Sequence, residues 1–203
     1  MKKLVIVGAG GMGREAAWTV ARINEKTPTW ELVGFIDDDP ELQNRVVEGV
    51  SVLGDSSAVP ADCAFHCAIG NNAIRQRVSA KLMAAGLTPA TLIDPSAIVA
   101  PNAQIGEGSY VGINAILSLN AKLGTGCLVN FRAVVGHDVS LGDYCQLCPG
   151  VCLGGACQVG RRVLFGTLAG AIQLRTIGDD AVVGAGVVTC RDIAAGATVA
   201  RLG

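Results

Sequence analysis

An aliphatic residue recurs at every sixth position through about half of this chain, and no other feature limits the possible fold as strongly. The series runs through seventeen positions without an insertion, and fifteen of them carry Ile, Val, Leu or Phe. Glycine follows at ten of the seventeen, and a small residue often stands two positions before. Self-similarity at one fixed period indicates a stacked repeat architecture. The positions are Ile93, Val99, Ile105, Val111, Leu117, Leu123, Val129, Val135, Leu141, Leu147, Leu153, Val159, Phe165, Ala171, Ile177, Val183 and Thr189.

The six-residue spacing predicts a parallel β-helix of triangular cross-section. In a strand, residues i and i−2 share a face, so the aliphatic side chain and the small residue before it both point inward. The glycine that follows would lie at a corner, where its conformational freedom helps the chain to turn. Three six-residue faces make one coil of 18 residues, and coils stack about 4.8 Å apart. Residues 91–194 would supply nearly six coils.

The first ninety residues follow a different pattern, which predicts an α/β domain. Strands are expected at residues 4–7, 31–36 and 63–69, and helices at residues 14–24 and 72–85. Strand, glycine-rich turn, helix and strand in this order are typical of an open, Rossmann-like parallel sheet. The same ninety residues hold 19 of the 33 charged side chains. We therefore predict a Rossmann-like domain over residues 1–90 and a β-helix domain over residues 91–203.

Composition excludes several classes of partner. The net charge is −1 and only 8 of 203 residues are aromatic, which argues against nucleic-acid binding. The longest uncharged run, residues 144–160, is too short for a spanning helix, for which about 20 apolar residues are needed, and it contains Pro149. No signal peptide is evident at the start. We expect a cytoplasmic chain in which the eight cysteines are reduced thiols.

The two histidines have different expected roles. His66 lies in an apolar run, so a buried structural histidine is favoured there. His137 follows Val135 and a glycine, past the corner of its coil, so its ring should project outward. A neutral imidazole there could take a proton from an attacking amine or hydroxyl, although an ordinary surface histidine is the alternative. Asp138 could orient the ring if the turn lets the two side chains meet.

Two further motifs carry possible chemistry. Cys145, Cys148 and Cys152 have metal-like spacing, but the repeat register makes them inward, corner and outward residues, so we predict no metal site. The motif Gly-x-Gly-x-x-Gly at residues 8–13 would let backbone amides approach a phosphate at a helix N-terminus, and Asp37 ends the next strand, where it could bind a ribose. A complete NAD site would need a longer domain, so we favour a bound nucleotide sugar over an oxidoreductase.

Five segments together resemble one known family. They are VGAGGMGRE at 7–15, GFIDDD at 34–39, VLGD at 52–55, AIGN at 68–71 and GHDVSLGDY at 136–144. The chain resembles the sialic acid O-acetyltransferase-like sugar acyltransferases, which include bacterial UDP-amino-sugar N-acetyltransferases. This resemblance implies a left-handed β-helix, a homotrimer, acetyl-CoA as acyl donor, and a nucleotide-linked sugar as acceptor of the acetyl group on an amine or a hydroxyl.

The resemblance also implies that residues 1–90 bind the nucleotide sugar and that residues 91–203 are the acyltransferase domain, and it assigns individual residues. It makes His137 the general base and Asp138 the acid beside it. Acetyl-CoA is expected at Gln146, Gly155, Thr167 and Ala185, and the nucleotide sugar at Gly10, Gly11, Met12, Asp37 and Asp38.

Three positions depart from the family pattern. Relatives often carry histidine where Met12 and Gln146 stand, and they continue beyond residues 199–203, so the cap on the last coil would be shorter. A catalytically inactive trimeric scaffold or nucleotide-sensing protein is the alternative function. A γ-type carbonic anhydrase fails because the repeat half holds only one histidine.

Overall fold

The computed structural model describes residues 1–200, which form two compact units. The first unit spans Met1–Pro95 and the second begins at Ser96. The division predicted from composition lies a few residues earlier, after residue 90. The predicted short cap at residues 199–203 lies largely outside the described residues. No helix within residues 1–200 is both long and apolar enough to cross a membrane.

The first unit is built on a three-stranded parallel sheet, with one helix after each of two strands. The sheet strands, in spatial order, are β2 (Trp30–Ile36), β1 (Lys2–Val7) and β5 (Ala64–Cys67). The helices are α1 (Gly11–Lys26) and α2 (Asn72–Ala84), and the short strands are β3 (Val46–Val47), β4 (Val50–Ser51) and β6 (Leu92–Ile93). Strands β3 and β4 pair as an antiparallel hairpin.

The local sequence explains these elements. Strand β1 is the central strand and its apolar residues are buried, as an open parallel sheet requires. A side chain at Gly13 would put a Cβ 1.8 Å from the carbonyl oxygen of Gly8, so only glycine lets α1 begin so close to β1. The side chain of Asn71 accepts a hydrogen bond from the Ile74 amide (3.0 Å) and caps α2, as the sequence predicts.

The second unit is a parallel β-helix of two-residue strands, and each strand pairs with strands one coil away. We call its sheets face one, face two and face three. Face one holds β7 (Ile98–Val99), β10 (Ile116–Leu117), β13 (Val134–Val135), β16 (Cys152–Leu153), β19 (Gly170–Ala171) and β22 (Val188–Thr189). Face two holds β8 (Gln104–Ile105), β11 (Lys122–Leu123), β14 (Ser140–Leu141), β17 (Gln158–Val159) and β20 (Thr176–Ile177). Face three holds β9 (Tyr110–Val111), β12 (Leu128–Val129), β15 (Gln146–Leu147), β18 (Leu164–Phe165), β21 (Val182–Val183) and β23 (Thr198–Val199).

The core is the column of inward residues that the repeat predicts. Leu117 pairs with Val135 one coil later, and both side chains are fully buried. The small residues two positions earlier, such as Ala115 and Ala133, are equally buried. The last coil is two residues shorter, because Val182 pairs with Thr198.

The reason for glycine after the aliphatic residue differs from the one predicted. Gly136 is not in the left-handed region. A Cβ there would lie 2.7 Å from the carbonyl oxygen of Leu153, so the next coil leaves no room for a side chain. The left-handed residue stands two positions later, at Asp138, with φ 59°. The glycine therefore permits close stacking, and Asn, Asp or another residue makes the turn.

Candidate active site

The one histidine of the β-helix lies on its surface, paired with the next residue. His137 stands at the corner between faces one and two, and its side chain is 65% exposed. Its Nδ1 lies 2.8 Å from Oδ2 of Asp138. Neighbouring side chains on a strand point apart, but the left-handed backbone of Asp138 turns its carboxylate back to the ring.

This pairing fixes which ring nitrogen can act as a base. An ionised carboxylate only accepts hydrogen bonds, so Nδ1 of His137 donates the proton and Nε2 keeps its lone pair. The hydrogen bonds from His137 and from Asn120 lower the pKa of Asp138, which keeps this carboxyl ionised at neutral pH. The arrangement matches a general base with an orienting acid.

Gly155 lies directly against the imidazole, one coil after His137 in the same corner. A Cβ on Gly155 would lie 2.4 Å from Nε2 and 2.5 Å from Cε1 of the ring. The ring thus occupies space that any other residue at position 155 would fill.

His66 has the structural role that the sequence favours. It is fully buried, and its Nδ1 lies 2.9 Å from the carbonyl oxygen of Ala90. Burial lowers its pKa to about 4, so the ring is neutral at physiological pH.

The cysteines occupy the positions that the register predicts. Cys145 is buried and its thiol donates to the carbonyl of Gly160, whereas Cys152 is exposed on face one. Burial raises the pKa of the Cys148 and Cys157 thiols, which makes them poor nucleophiles. Within residues 1–200, no three His, Cys, Asp or Glu side chains form a group that could hold a metal ion.

The first unit contains a cleft of about 480 Å³ at the carboxyl edge of its sheet. This cleft brings together all five residues predicted to bind the nucleotide sugar: Gly10, Gly11, Met12, Asp37 and Asp38. Helix α1 begins here without a side-chain cap and without an acidic residue in its first turn. Such a helix end favours a bound anion, because its first amide groups point outward and its dipole is positive there.

The two aspartates of the cleft also accept hydrogen bonds from neighbouring backbone amides. Asp37 accepts hydrogen bonds from the amides of Ala9 (2.8 Å) and Asp39 (2.9 Å), and so ties the glycine-rich loop to the end of β2. Asp38 accepts a hydrogen bond from the amide of Ser56 (2.9 Å). Ribose binding by Asp37 stays a prediction, and the structure adds a role in shaping the loop.

Sequence reasoning missed Arg77, an exposed residue of α2 that lines the same cleft. Helix α2 follows β5, whose carboxyl end lies at the same edge of the sheet as that of β1. That topology was readable from the strand–helix order, and it would have placed the first turns of α2 at the cleft.

The residues predicted to bind acetyl-CoA are spread over the β-helix. Only Gly155 shares the corner of His137. Thr167 and Ala185 stand one coil apart at the corner between faces three and one. Gln146 lies on face three, where its Nε2 contacts the Cys148 sulfur (3.7 Å) and its buried Oε1 has no hydrogen-bond partner among the described residues.

Comparison with known proteins identifies relatives for both parts of the sequence. Residues 3–82 match the PglD N-terminal domain family. Over 114 residues the chain is 33% identical to the GDP-perosamine N-acetyltransferase of Escherichia coli O157:H7, a match that covers 52% of this chain and 49% of the relative. The chain thus spans about half the length of the curated relatives it matches.

Solved structures match nearly the whole chain. A mutant of perosamine N-acetyltransferase from Caulobacter crescentus, in complex with CoA and GDP-perosamine, has a TM-score of 0.89 at 33% identity, over 97% of this chain and 92% of that chain. The acetyltransferase domain of PglB from Neisseria gonorrhoeae FA1090, in complex with acetyl coenzyme A, has a TM-score of 0.88 at 32% identity, over 97% and 95%. These matches confirm the predicted fold, a Rossmann-like domain followed by a left-handed β-helix. The chain belongs to the sialic acid O-acetyltransferase-like family of hexapeptide-repeat sugar acyltransferases.

Proposed function

We propose that this protein transfers an acetyl group from acetyl-CoA to an amine or hydroxyl of a nucleotide-linked sugar. The observation that carries the proposal is the exposed His137–Asp138 pair, whose Nε2 is left as the proton acceptor. The relatives support the same chemistry, because one is a perosamine N-acetyltransferase in complex with CoA and GDP-perosamine.

In the proposed reaction, His137 acts as general base. Its Nε2 takes a proton from the acceptor nitrogen or oxygen as that atom attacks the thioester carbonyl carbon. The new N–C or O–C bond forms, the C–S bond breaks, and the CoA thiolate leaves and takes up a proton. Asp138 holds the Nδ1–H and stabilises the imidazolium that forms in between.

The cleft of the first unit is our candidate site for the nucleotide part of the acceptor. Its phosphates would lie against the uncapped start of α1, beside Gly10 and Gly11. The Arg77 guanidinium supplies a positive charge at the same cleft, which suits a diphosphate. Met12 would make an apolar contact where relatives often carry histidine, so the sugar or its orientation would differ from theirs.

We propose a homotrimer assembled through face one. Its outward residues are Ile98, Ile116, Val134, Cys152, Gly170 and Val188, and those of face two are Gln104, Lys122, Ser140, Gln158 and Thr176. Only face one is apolar throughout, and Ile98 and Val188 are each 63% exposed. An exposed apolar patch of this kind marks an association surface, and a second and third copy of the chain are the proposed occupants.

A trimer would also explain why the predicted acetyl-CoA residues lie apart. Face one is bounded by the corner that carries His137 on one side and by the corner that carries Thr167 and Ala185 on the other. In a cyclic trimer around face one, one corner of each copy would meet the other corner of its neighbour. Acetyl-CoA would then lie between copies. We also infer a cytoplasmic location, where acetyl-CoA and nucleotide sugars are available and free thiols persist.

The trimer proposal makes a direct prediction for Ile116→Glu. A carboxylate at position 116 would be buried and unpaired in a trimer joined through face one, which is costly, so we expect a monomer by analytical ultracentrifugation, with acetyltransferase activity lost. The matched control is Gln158→Glu on the polar face two, which should stay trimeric. A trimer for both variants would contradict the choice of face one.

A thiol-release assay tests the proposed activity. Acetyl-CoA is offered with UDP-, GDP- and CMP-linked sugars, each with and without an amino group, and free CoA is measured together with the acetylated product. We expect release that depends on one nucleotide sugar. Absence of release with every acceptor, together with no acetyl-CoA binding by calorimetry, would favour the inactive scaffold instead.

A further inference from the structure

Two asparagines lie directly beneath Asp138, one on each of the two preceding coils. Asn102, Asn120 and Asp138 are spaced 18 residues apart, so they stack at the corner between faces one and two. Asn102 Nδ2 donates to Asn120 Oδ1 (2.6 Å), and Asn120 Nδ2 donates to Asp138 Oδ1 (2.8 Å). The other carboxylate oxygen of Asp138 accepts from His137. We call these four residues the corner column.

The side-chain hydrogen bonds of the corner column converge on the Asp138 carboxylate, which accepts from Asn120 on one oxygen and from His137 on the other. On the two coils above Asp138, the equivalent positions are Ala156 and Leu174, which cannot continue the chain of side-chain hydrogen bonds. Both adopt the same left-handed φ as Asn120, at 58° and 62° against 58°. The corner therefore accepts Ala or Leu, and the backbone conformation alone does not call for asparagine at position 120.

Asn102 decides which way the amide of Asn120 points. The Asn120 backbone amide also donates to Asn102 Oδ1 (3.1 Å), so Asn102 is held by both its oxygen and its nitrogen. Because Asn102 Nδ2 donates to the oxygen of Asn120, the Asn120 nitrogen is turned towards Asp138. In the reverse orientation Asn120 Oδ1 would face Asp138 Oδ1, which are two acceptors, and Asn120 Nδ2 would face Asn102 Nδ2, which are two donors.

We propose that Asn120, oriented by Asn102, is a positioning residue for His137. It holds the Asp138 carboxylate so that one oxygen is fixed against the imidazole Nδ1–H, which leaves Nε2 as the lone-pair nitrogen. The inference rests on the proposed function for its effect on turnover, but its effect on the imidazole tautomer is independent of any activity.

The kinetic test compares variants of the two asparagines. For Asn120→Ala we expect kcat to fall about tenfold, because Asp138 loses a hydrogen bond to its charged form, with KM for acetyl-CoA unchanged. Asn102→Asp should have a similar effect although it stands two coils away from Asp138, because its carboxylate would accept from Asn120 Nδ2 and turn the amide oxygen towards Asp138. Asn102→Ala, which permits both orientations, should have a smaller effect.

Asn114 offers the matched control. It is an asparagine with left-handed φ (54°) at the corner between faces three and one, and its backbone N–H donates to Ser96 Oγ (3.1 Å). Asn114→Ala removes the same kind of residue from the same kind of turn without touching Asp138. It should keep the wild-type kcat.

The second readout is the tautomer of His137 in protein labelled with 15N-histidine. The sequence has only two histidines, so His137→Asn assigns the signals. At alkaline pH we expect wild-type His137 to be almost entirely the Nδ1–H form, and Asn120→Ala and Asn102→Asp to give a mixture of both tautomers. Free imidazole side chains favour the Nε2–H form, so an Nδ1–H form in the wild-type protein would show that Asp138 sets the tautomer of His137.

The outcomes separate the two proposals. An unchanged tautomer in Asn120→Ala, or an equal loss of kcat in Asn114→Ala, would overturn the positioning role. If the wild-type protein lacks acetyltransferase activity but the tautomer still changes in Asn120→Ala, the proposed function fails and the positioning role stands.

Discussion

His137→Ala is expected to lower kcat by about a hundredfold or more, since general-base catalysis contributes about 10²–10⁴ to the rate. The side chain is 65% exposed and lies outside the core, so its removal should leave the unfolding temperature unchanged. Acetyl-CoA and nucleotide-sugar binding, measured by calorimetry, should also persist. A loss of turnover with both ligands still bound would assign the defect to the proton-transfer step.

Gln173→Ala is the matched control for this variant. Gln173 stands in the same corner as His137, two coils later, and is exposed. The Gln173→Ala variant should have the wild-type kcat. Wild-type turnover in His137→Ala would remove the histidine from the mechanism, whatever the control does.

Gly155→Ala should have the second largest effect, because the new methyl group would take the place of the imidazole. The ring must move by about 1 Å, and a misplacement of that size can cost about a hundredfold in rate. Gly155 does not have a left-handed φ, so alanine itself meets no backbone strain there. We expect kcat to fall while the affinity for acetyl-CoA changes little. A loss of acetyl-CoA binding instead would favour direct contact of Gly155 with the donor.

The same substitution made in His137→Ala tests the contact from the other side. Without the ring, the methyl group has space, so any fall in unfolding temperature caused by Gly155→Ala should disappear in the double variant. A fall that persists would mean that the methyl group meets something other than the imidazole.

Much of the fold could be predicted because the six-residue repeat in the sequence follows from the way the coils stack around one core. Inward residues such as Val135 and Leu153 must be apolar to fill a shared core, so burial imposes the six-residue period on the sequence. The 18-residue coil follows from that period, and it places Gly155 one coil after His137. The outward position of His137 followed from the same register, whereas the buried position of His66 followed from the apolar run around it.

The reason for the corner glycines could not be predicted, because it depends on the adjacent coil. The free backbone angle of glycine was the expected cause at Gly136, but the close approach of the Leu153 carbonyl is the actual one. Spacing within the chain does not reveal how near the next coil comes.

The sequence by itself determined the stacked repeat, the glycine-rich turn before α1 and the identity of the exposed histidine, because each is written in local spacing or residue type. Only the tertiary structure decided what surrounds these features. The left-handed turn at Asp138 brings its carboxylate to His137, and side-chain hydrogen bonds between stacked coils join Asn102 and Asn120 to Asp138. Such contacts depend on side-chain direction across distant positions, which a one-dimensional pattern does not specify.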